Sequence, residues 1–154
     1  MKRDPGQGHH IATAWKVRGR VLSLARPLIM GIVNVTPDSF SDGGQHPTFG
    51  TALAHALRLV EEGADILDIG GESTRPGAAA VPPREQLRRL LPVLKRLKNQ
   101  SRIPVSVDTT SARVAEAAIG AGVQMVNDVS ALRSDPEMPA AAIGGGSVWP
   151  LTSR

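Results

Sequence analysis

The chain has 154 residues, of which 41% are hydrophobic and 3% aromatic, and its formal net charge is +4. This length and apolar content suffice for one ordinary domain. The basic residues are scattered and aromatic stacking platforms are scarce, so we expect small anionic molecules as ligands and no nucleic acid. The chain has no cysteine, and no stretch approaches the roughly 18 apolar residues of a membrane span. We therefore expect a cytoplasmic protein that does not contact membranes.

Four apolar runs each end in a polar residue and are separated by helical patterns. The predicted strands end at Asn34, Asp68, Asp108 and Asn127. Two of these polar residues come five positions after a glycine, Gly63 or Gly122, which is typical of a helix that ends at glycine and leads into a buried strand. Because the carboxyl ends of parallel strands gather at one edge of a sheet, we expect the four side chains to share one functional face.

Three stretches between the strands have apolar residues at helical spacing. The first stripe contains Leu53, Ala56, Leu57 and Val60. The last, behind a predicted cap at Ser111, contains Val114, Ala117, Ala118 and Ala121. The middle stripe contains Leu87, Leu90, Leu91, Leu94 and Leu97, with outward basic residues predicted at Arg88, Arg89, Lys95 and Lys98. Pro92 predicts a kink or break in this helix, and the alternation of strand and helix favours a parallel α/β architecture.

Specific motifs lie on this framework, in a fixed order. They are MGIVNVTPDSFSDGG at 30–44, DIGGESTRPG at 68–77, SVDTT at 106–110 and VND at 126–128. Together they closely resemble the dihydropteroate synthases of folate biosynthesis, members of the pterin-binding TIM-barrel family. The resemblance covers about residues 15 to 143.

The resemblance implies a TIM (βα)8-barrel fold, and a complete barrel usually needs about 250 residues. We therefore predict about four βα units, a truncated half barrel. The predicted divisions are a leader with short strands at 1–27, the N-terminal half of a pterin-binding domain at 28–143, and an atypical tail at 144–154.

The implied activity is a transferase reaction. It condenses 6-hydroxymethyl-7,8-dihydropterin diphosphate with p-aminobenzoate to give dihydropteroate and diphosphate, with the help of Mg²⁺, and it makes the enzyme a sulfonamide target. The bond to diphosphate breaks largely before the new bond forms, so electrostatic stabilisation should dominate catalysis.

Matching each position to the family motifs gives the expected site residues. Asn34 corresponds to the residue that contacts magnesium and diphosphate, although a strand-end asparagine can also serve only to satisfy loop backbone. Asp108 corresponds to the catalytic and pterin-binding aspartate; taken alone, it could equally cap the following helix. Asn127 corresponds to a second pterin contact, where an amide can offer the heterocycle both a donor and an acceptor.

Two loops complete the expected site. Thr74 corresponds to a substrate-binding threonine, and Arg75 to a residue that shapes the p-aminobenzoate pocket; a solvated loop charge is the alternative for Arg75. The loop at 37–40 resembles a mobile loop that closes over the aromatic substrate. For Asp68 and Glu72, loop organisation is at least as well supported as substrate contact.

The resemblance fades near Ile143, so family contacts expected from a second half of the barrel are missing. Unpaired edge strands would expose apolar surface, and we therefore expect self-association, with a homodimer as the simplest form. Two other functions stay open. One is a methyl-transfer relative that acts on methyltetrahydrofolate, and the other is a non-catalytic binding remnant.

Overall fold

A computed structural model describes residues 12–36, 49–72, 79–145 and 147–149. These residues form an antiparallel hairpin followed by a five-stranded parallel sheet with helices on one face. The strands are β1 (Ala14–Val17), β2 (Arg20–Ser23), β3 (Met30–Asn34), β4 (Ile66–Gly70), β5 (Val105–Asp108), β6 (Met125–Asn127) and β7 (Ser147–Trp149). The helices are α1 (Phe49–Glu61), α2 (Pro83–Gln100), α3 (Ala112–Gly120) and α4 (Met138–Gly145). The predicted α/β architecture is confirmed.

The order of the sheet, β3-β4-β5-β6-β7, follows the order of the chain. All four predicted strands are present, and every neighbouring pair is parallel. The strand β7 was not predicted, because its residues belong to the segment expected to be an atypical tail. It pairs with β6, with Met125 opposite Ser147 and Asn127 opposite Trp149. The predicted divisions at residues 27 and 143 stay predictions.

The two faces of the sheet have different partners. Alternate residues of the strands are fully buried in the main core with α1, α2 and α3, among them Val33, Leu67, Ile69, Val107 and Val126. The opposite face carries the polar strand-end residues. At the amino ends of the strands this second face is covered by the β1–β2 hairpin, whose Val17 packs against Ile66 and Met125. The carboxyl ends are thus left as the end where polar side chains collect.

The helix α2 runs without a break through Pro92, so of the predicted kink or break the break is wrong, and the kink stays a prediction. Pro92 lies on the exposed side of the helix. On that side water can satisfy the carbonyl that proline leaves without a partner. Arg89 is a second correction, because its side chain is only 15% exposed instead of pointing outward. It donates to the carbonyl of Gly71 at 3.1 Å and to Glu85 at 2.7 Å, which ties the end of β4 to α2.

The start of α3 also differs from the prediction. Ser111 lies at the N-cap position, but its side chain makes no capping hydrogen bond. The carboxylate of Asp135 accepts the hydrogen bond from the Ala112 N–H instead, at 2.8 Å. A distant residue therefore supplies the cap, and the capping alternative for Asp108 gains no support. Among the helices in the described part of the chain, none is long and apolar enough to cross a membrane.

Candidate functional site

The strand register places the predicted site residues in one row. Asn34 pairs with Gly70, Gly70 with Asp108, and Asp108 with Asn127. Each of these residues is the last of its strand. The row therefore runs across the carboxyl ends of four parallel strands, where α/β folds bind their ligands.

The surroundings of Gly70 show that the side chains of Asn34 and Asp108 lie on the same face of the sheet. A Cβ added at Gly70 would lie 3.1 Å from Asn34 Oδ1, 3.6 Å from the Cβ of Asp108 and 3.7 Å from Asp108 Oδ2. The side chains of Asn34 and Asp108 thus flank the bare backbone of β4 on one side of the sheet. Of the five predicted site residues, Asn34, Asp108 and Asn127 are brought together. Thr74, Arg75 and the loop at 37–40 lie outside the described residues.

Asp68 belongs to the same face, two residues before Gly70. It is 3% exposed, and its Oδ2 accepts a hydrogen bond of 2.8 Å from Asn127 Nδ2. Three buried oxygens beside this bond have no hydrogen-bond partner among the described residues: Asp68 Oδ1, Ser106 Oγ and Asn127 Oδ1. Buried polar atoms are rarely left unpaired, so these oxygens are suited to accept hydrogen bonds from a bound molecule.

The electrostatics of the site centre on Asp108. Its carboxyl group is half-buried and its pKa is raised to about 7, with loss of solvation as the largest cause. The negative charges of Asp68, Glu72 and Asp128 supply the rest of this increase in the pKa. Near neutral pH this carboxyl can therefore both bind and release a proton, which is common at catalytic positions.

Burial also raises the pKa of Asp68, and the hydrogen bond from Asn127 opposes that rise. The Ser106 hydroxyl, which pairs with Asp68 in register, opposes it more weakly, although its oxygen meets no full hydrogen-bond geometry. Asp68 and Asp108 together give this face of the sheet an acidic character, which favours a ligand with hydrogen-bond donors or developing positive charge.

A buried network behind the row holds the loops that carry it. Gln86 of α2 is 4% exposed; its Nε2 donates to the Val81 carbonyl at 2.9 Å, and its Oε1 accepts from the Thr109 hydroxyl at 3.2 Å. Its Nε2 also lies 3.4 Å from Glu72, the acidic residue after β4. Gln86 was not among the site residues predicted from the sequence, although a glutamine at helical spacing with Leu90 and Leu97 was a signal for a buried amide.

The loop after β6 has its own organiser. Asp128 is fully buried, and its carboxylate accepts hydrogen bonds from the N–H groups of Ser130 at 2.7 Å and Leu132 at 3.1 Å. Ala131 and Leu132 have positive φ angles of 54° and 65°, which cost free energy for residues with a side chain. The carboxylate holds this turn, so Asp128 serves structure first and affects Asp108 only through its charge.

An open cleft of about 800 Å³ lies at the other end of the sheet. It is lined by residues that precede the strands, such as Leu28, Asp65 and Pro104. Asp65 is already paired there with Arg26, at 2.6 Å. The cleft is separate from the row, and parallel α/β folds place their chemistry at the carboxyl ends.

A parallel sheet whose strands follow chain order, with polar side chains at the strand ends, is the arrangement of barrel-type α/β proteins that have a site at their carboxyl face. The chain belongs to the pterin-binding enzyme family, whose model matches residues 30–147. The TIM-barrel membership predicted from the motifs is thereby confirmed.

Named relatives agree with this membership. The chain is 48% identical over 117 residues to the dihydropteroate synthase of Bacillus subtilis, covering 76% of this chain and 41% of that protein. It is similar to the structure of the Xanthomonas albilineans dihydropteroate synthase with 4-aminobenzoic acid, with 58% identity, a TM-score of 0.80 and coverage of 86% of this chain and 49% of that one. The structure of the X. albilineans enzyme in complex with 7,8-dihydropteroate gives 56% identity, a TM-score of 0.73 and coverage of 82% and 45%. The chain spans less than half the length of these relatives.

Proposed function

We propose that the protein acts in dihydropteroate synthesis, as the pterin-binding part of a dihydropteroate synthase. The observation that carries the proposal is the row of Asn34, Asp108 and Asn127 across the carboxyl ends of β3, β5 and β6. The relatives with 4-aminobenzoic acid and 7,8-dihydropteroate support p-aminobenzoate as one substrate and a dihydropteroate as the product. The second substrate is then 6-hydroxymethyl-7,8-dihydropterin diphosphate.

In this reaction the bond between the exocyclic carbon of the pterin and the diphosphate oxygen breaks, and diphosphate leaves with the electron pair. The amine nitrogen of p-aminobenzoate attacks the same carbon and then loses a proton. Positive charge builds up on the pterin between the two events. The carboxylate of Asp108 at the strand ends favours that charge, so the electrostatic part of catalysis comes from this carboxylate.

Asp108 is the proposed catalytic and pterin-binding residue. Its carboxylate would accept hydrogen bonds from the amino group and a ring N–H of the pterin, and charge-assisted bonds of this kind are the strong ones. The raised pKa of about 7 means that binding of these donors must stabilise the ionised form. Ligand binding should therefore release protons near neutral pH.

Asn34 is the proposed magnesium ligand. Its Oδ1 faces the row, 3.1 Å from the position of a Cβ at Gly70, and an amide oxygen is a hard ligand of the kind that Mg²⁺ accepts. No group of three or more His, Cys, Asp or Glu side chains suited to a metal occurs in the described ranges. This fits an ion that keeps most of its waters and binds through one protein oxygen and the substrate. When bound, Mg²⁺ would neutralise charge on the diphosphate.

Thr74 and Arg75 stay predicted substrate contacts, on the motif that they share with the family. We also propose that the protein is cytoplasmic, that it forms a homodimer, and that sulfonamides compete with p-aminobenzoate at its site. Support for the homodimer is the exposure of Ile32, which is 60% exposed on the face of the sheet that carries the site.

The test is to incubate the purified chain with Mg²⁺, the pterin diphosphate and p-aminobenzoate, and to measure dihydropteroate by mass. Product that disappears with Asp108→Asn supports synthesis by this chain. Absence of product, with 6-hydroxymethylpterin still bound in calorimetry, would restrict the function to pterin binding. Binding of methyltetrahydrofolate in preference to the pterin would favour the methyl-transfer relative, and binding of neither would contradict the proposal.

A further inference from the structure

Asp68 is a buried carboxylate to which the proposed reaction gives no direct contact with substrate. It is 3% exposed and lies on β4, opposite Ile32 of β3 and Ser106 of β5. A buried carboxylate is unfavourable unless hydrogen bonds compensate for its lost solvation. The hydrogen bond from Asn127 is the main compensation in the described structure.

That hydrogen bond fixes the orientation of an amide. An ionised carboxylate can only accept hydrogen bonds, so the amide of Asn127 must turn its nitrogen, and not its oxygen, toward Asp68. The bond crosses β5, since Asp68 lies on β4 and Asn127 on β6, and it measures 2.8 Å. As a result, Asn127 Oδ1 is buried and has no partner in the described part of the chain.

We propose that Asp68 is a positioning residue of the pterin site, which holds the Asn127 amide with its nitrogen toward β4 and so presents Asn127 Oδ1 to the ligand as an acceptor. This inference rests on the proposed function for the identity of the ligand. The matching ligand group is a hydrogen-bond donor on a heterocycle. Without Asp68 the amide could turn over, and part of the molecules would present a donor to a donor, which weakens binding through lost preorganisation.

The orientation can be tested without any ligand. The side-chain amide of Asn127 is followed by nuclear magnetic resonance in the ¹⁵N-labelled chain, and its signals are assigned by their loss in Asn127→Asp. In the wild type, the amide proton bound to Asp68 should exchange slowly with solvent. Asp68→Asn should speed that exchange at least about tenfold, because the replacement amide can turn and no longer imposes one orientation.

The control for this measurement is Asp65→Asn. Asp65 is also an aspartate next to β4, but it pairs with Arg26 at the opposite end of the sheet. The variant Asp65→Asn should leave the Asn127 signals unchanged, even if it lowers the stability of the chain. If Asp68→Asn does not fold, Asp68→Ser replaces it, since its shorter uncharged side chain removes the buried charge. Unchanged exchange in the folded variant would overturn the proposal.

Binding provides the second test, with 6-hydroxymethylpterin as the probe and calorimetry of the full chain. Asp68→Asn should weaken binding about tenfold, while Asp65→Asn should not change it. In an Asn127→Ala background, Asp68→Asn should have no further effect, because Asp68 acts through Asn127. An equal loss in both backgrounds would overturn the positioning role. If the wild type does not bind the probe, the proposed function fails, and the exchange measurement alone decides the role of Asp68.

Discussion

Asn34 and Asp108, on strands that do not pair with each other, meet over Gly70, the residue of β4 that lies between them. A Cβ at Gly70 would be 3.1 Å from the amide oxygen of Asn34 and 3.6 Å from the Cβ of Asp108. Because Gly70 has no side chain, Asn34, the proposed metal ligand, and Asp108, the proposed pterin-binding residue, can approach each other. The glycine is thus part of the site, because it provides space.

Gly70→Ala tests this relationship. The new methyl group should displace the Asn34 oxygen by a few tenths of an ångström and weaken binding of 6-hydroxymethylpterin or Mg²⁺ several-fold, at a cost of about 1 kcal/mol in the free energy of unfolding. Calorimetry and urea denaturation measure the two effects. Gly120→Ala is the matched control, because a Cβ there meets no atom within 4 Å. Equal binding by both variants would show that the space is not needed.

The raised pKa of Asp108 predicts how the stability of the chain depends on pH. Its pKa is raised to about 7 in the folded chain, against about 4 in an unfolded one. The folded state therefore holds the proton more tightly, so the stabilising contribution is complete below about pH 4 and is lost as the pH rises to about 7. Asp108→Asn should remove this dependence and stabilise the chain near neutral pH by about 2 to 4 kcal/mol, while it abolishes turnover.

Urea denaturation between about pH 4 and pH 8 checks this prediction. Asp65→Asn is the control. Because Arg26 lowers the pKa of Asp65, the effect of Asp65 on the pH dependence of stability has the opposite sign. The stabilisation from Asp65 is present at neutral pH and is lost in acid. A variant Asp108→Asn that keeps the wild-type loss of stability across this range would contradict the raised pKa.

Much of the fold was predictable because the signals are local. Each apolar run ends in a polar residue, and the register of a parallel sheet then places Asn34, Asp108 and Asn127 in one row without further information. Pairings between distant residues were not predictable. The cap of α3 comes from Asp135 instead of the adjacent Ser111, and Asn127 bonds to an aspartate 59 residues away.

The helix α2 shows the limit of a helical pattern. Five leucines predicted the buried stripe, and Leu90, Leu94 and Leu97 are buried as expected. The pattern could not predict that Arg89 would turn to the end of β4, because that depends on the carbonyl of Gly71, which is distant in the chain and lies beside α2 only in the folded structure. Of the kink or break predicted at Pro92, the break is absent, because Pro92 is on the solvent side, where water can bind the carbonyl that proline leaves unpaired.

Gln86 links the loops after β4 and β5, and its replacement should disturb both. Gln86→Leu keeps the volume roughly constant but leaves the Thr109 hydroxyl and the Val81 carbonyl without their partner. Thr109 is 1% exposed, so water cannot easily replace the lost bond. We expect a loss of about 2 to 3 kcal/mol in the free energy of unfolding, measured in urea. Gln100→Leu, at the exposed end of the same helix, should change it by less than about 0.5 kcal/mol.

Self-association follows from the open face of the sheet. Ile32 is 60% exposed although it is a central residue of β3, on the same side as Asn34. An apolar side chain exposed in a strand favours contact with another apolar surface. Sedimentation equilibrium should therefore show a dimer or larger species that Ile32→Lys shifts toward monomer. Val21→Lys is the control, since Val21 is similarly exposed, at 64%, but lies on the hairpin. A wild type that sediments as a monomer, or an equal shift by both variants, would contradict association through the site face.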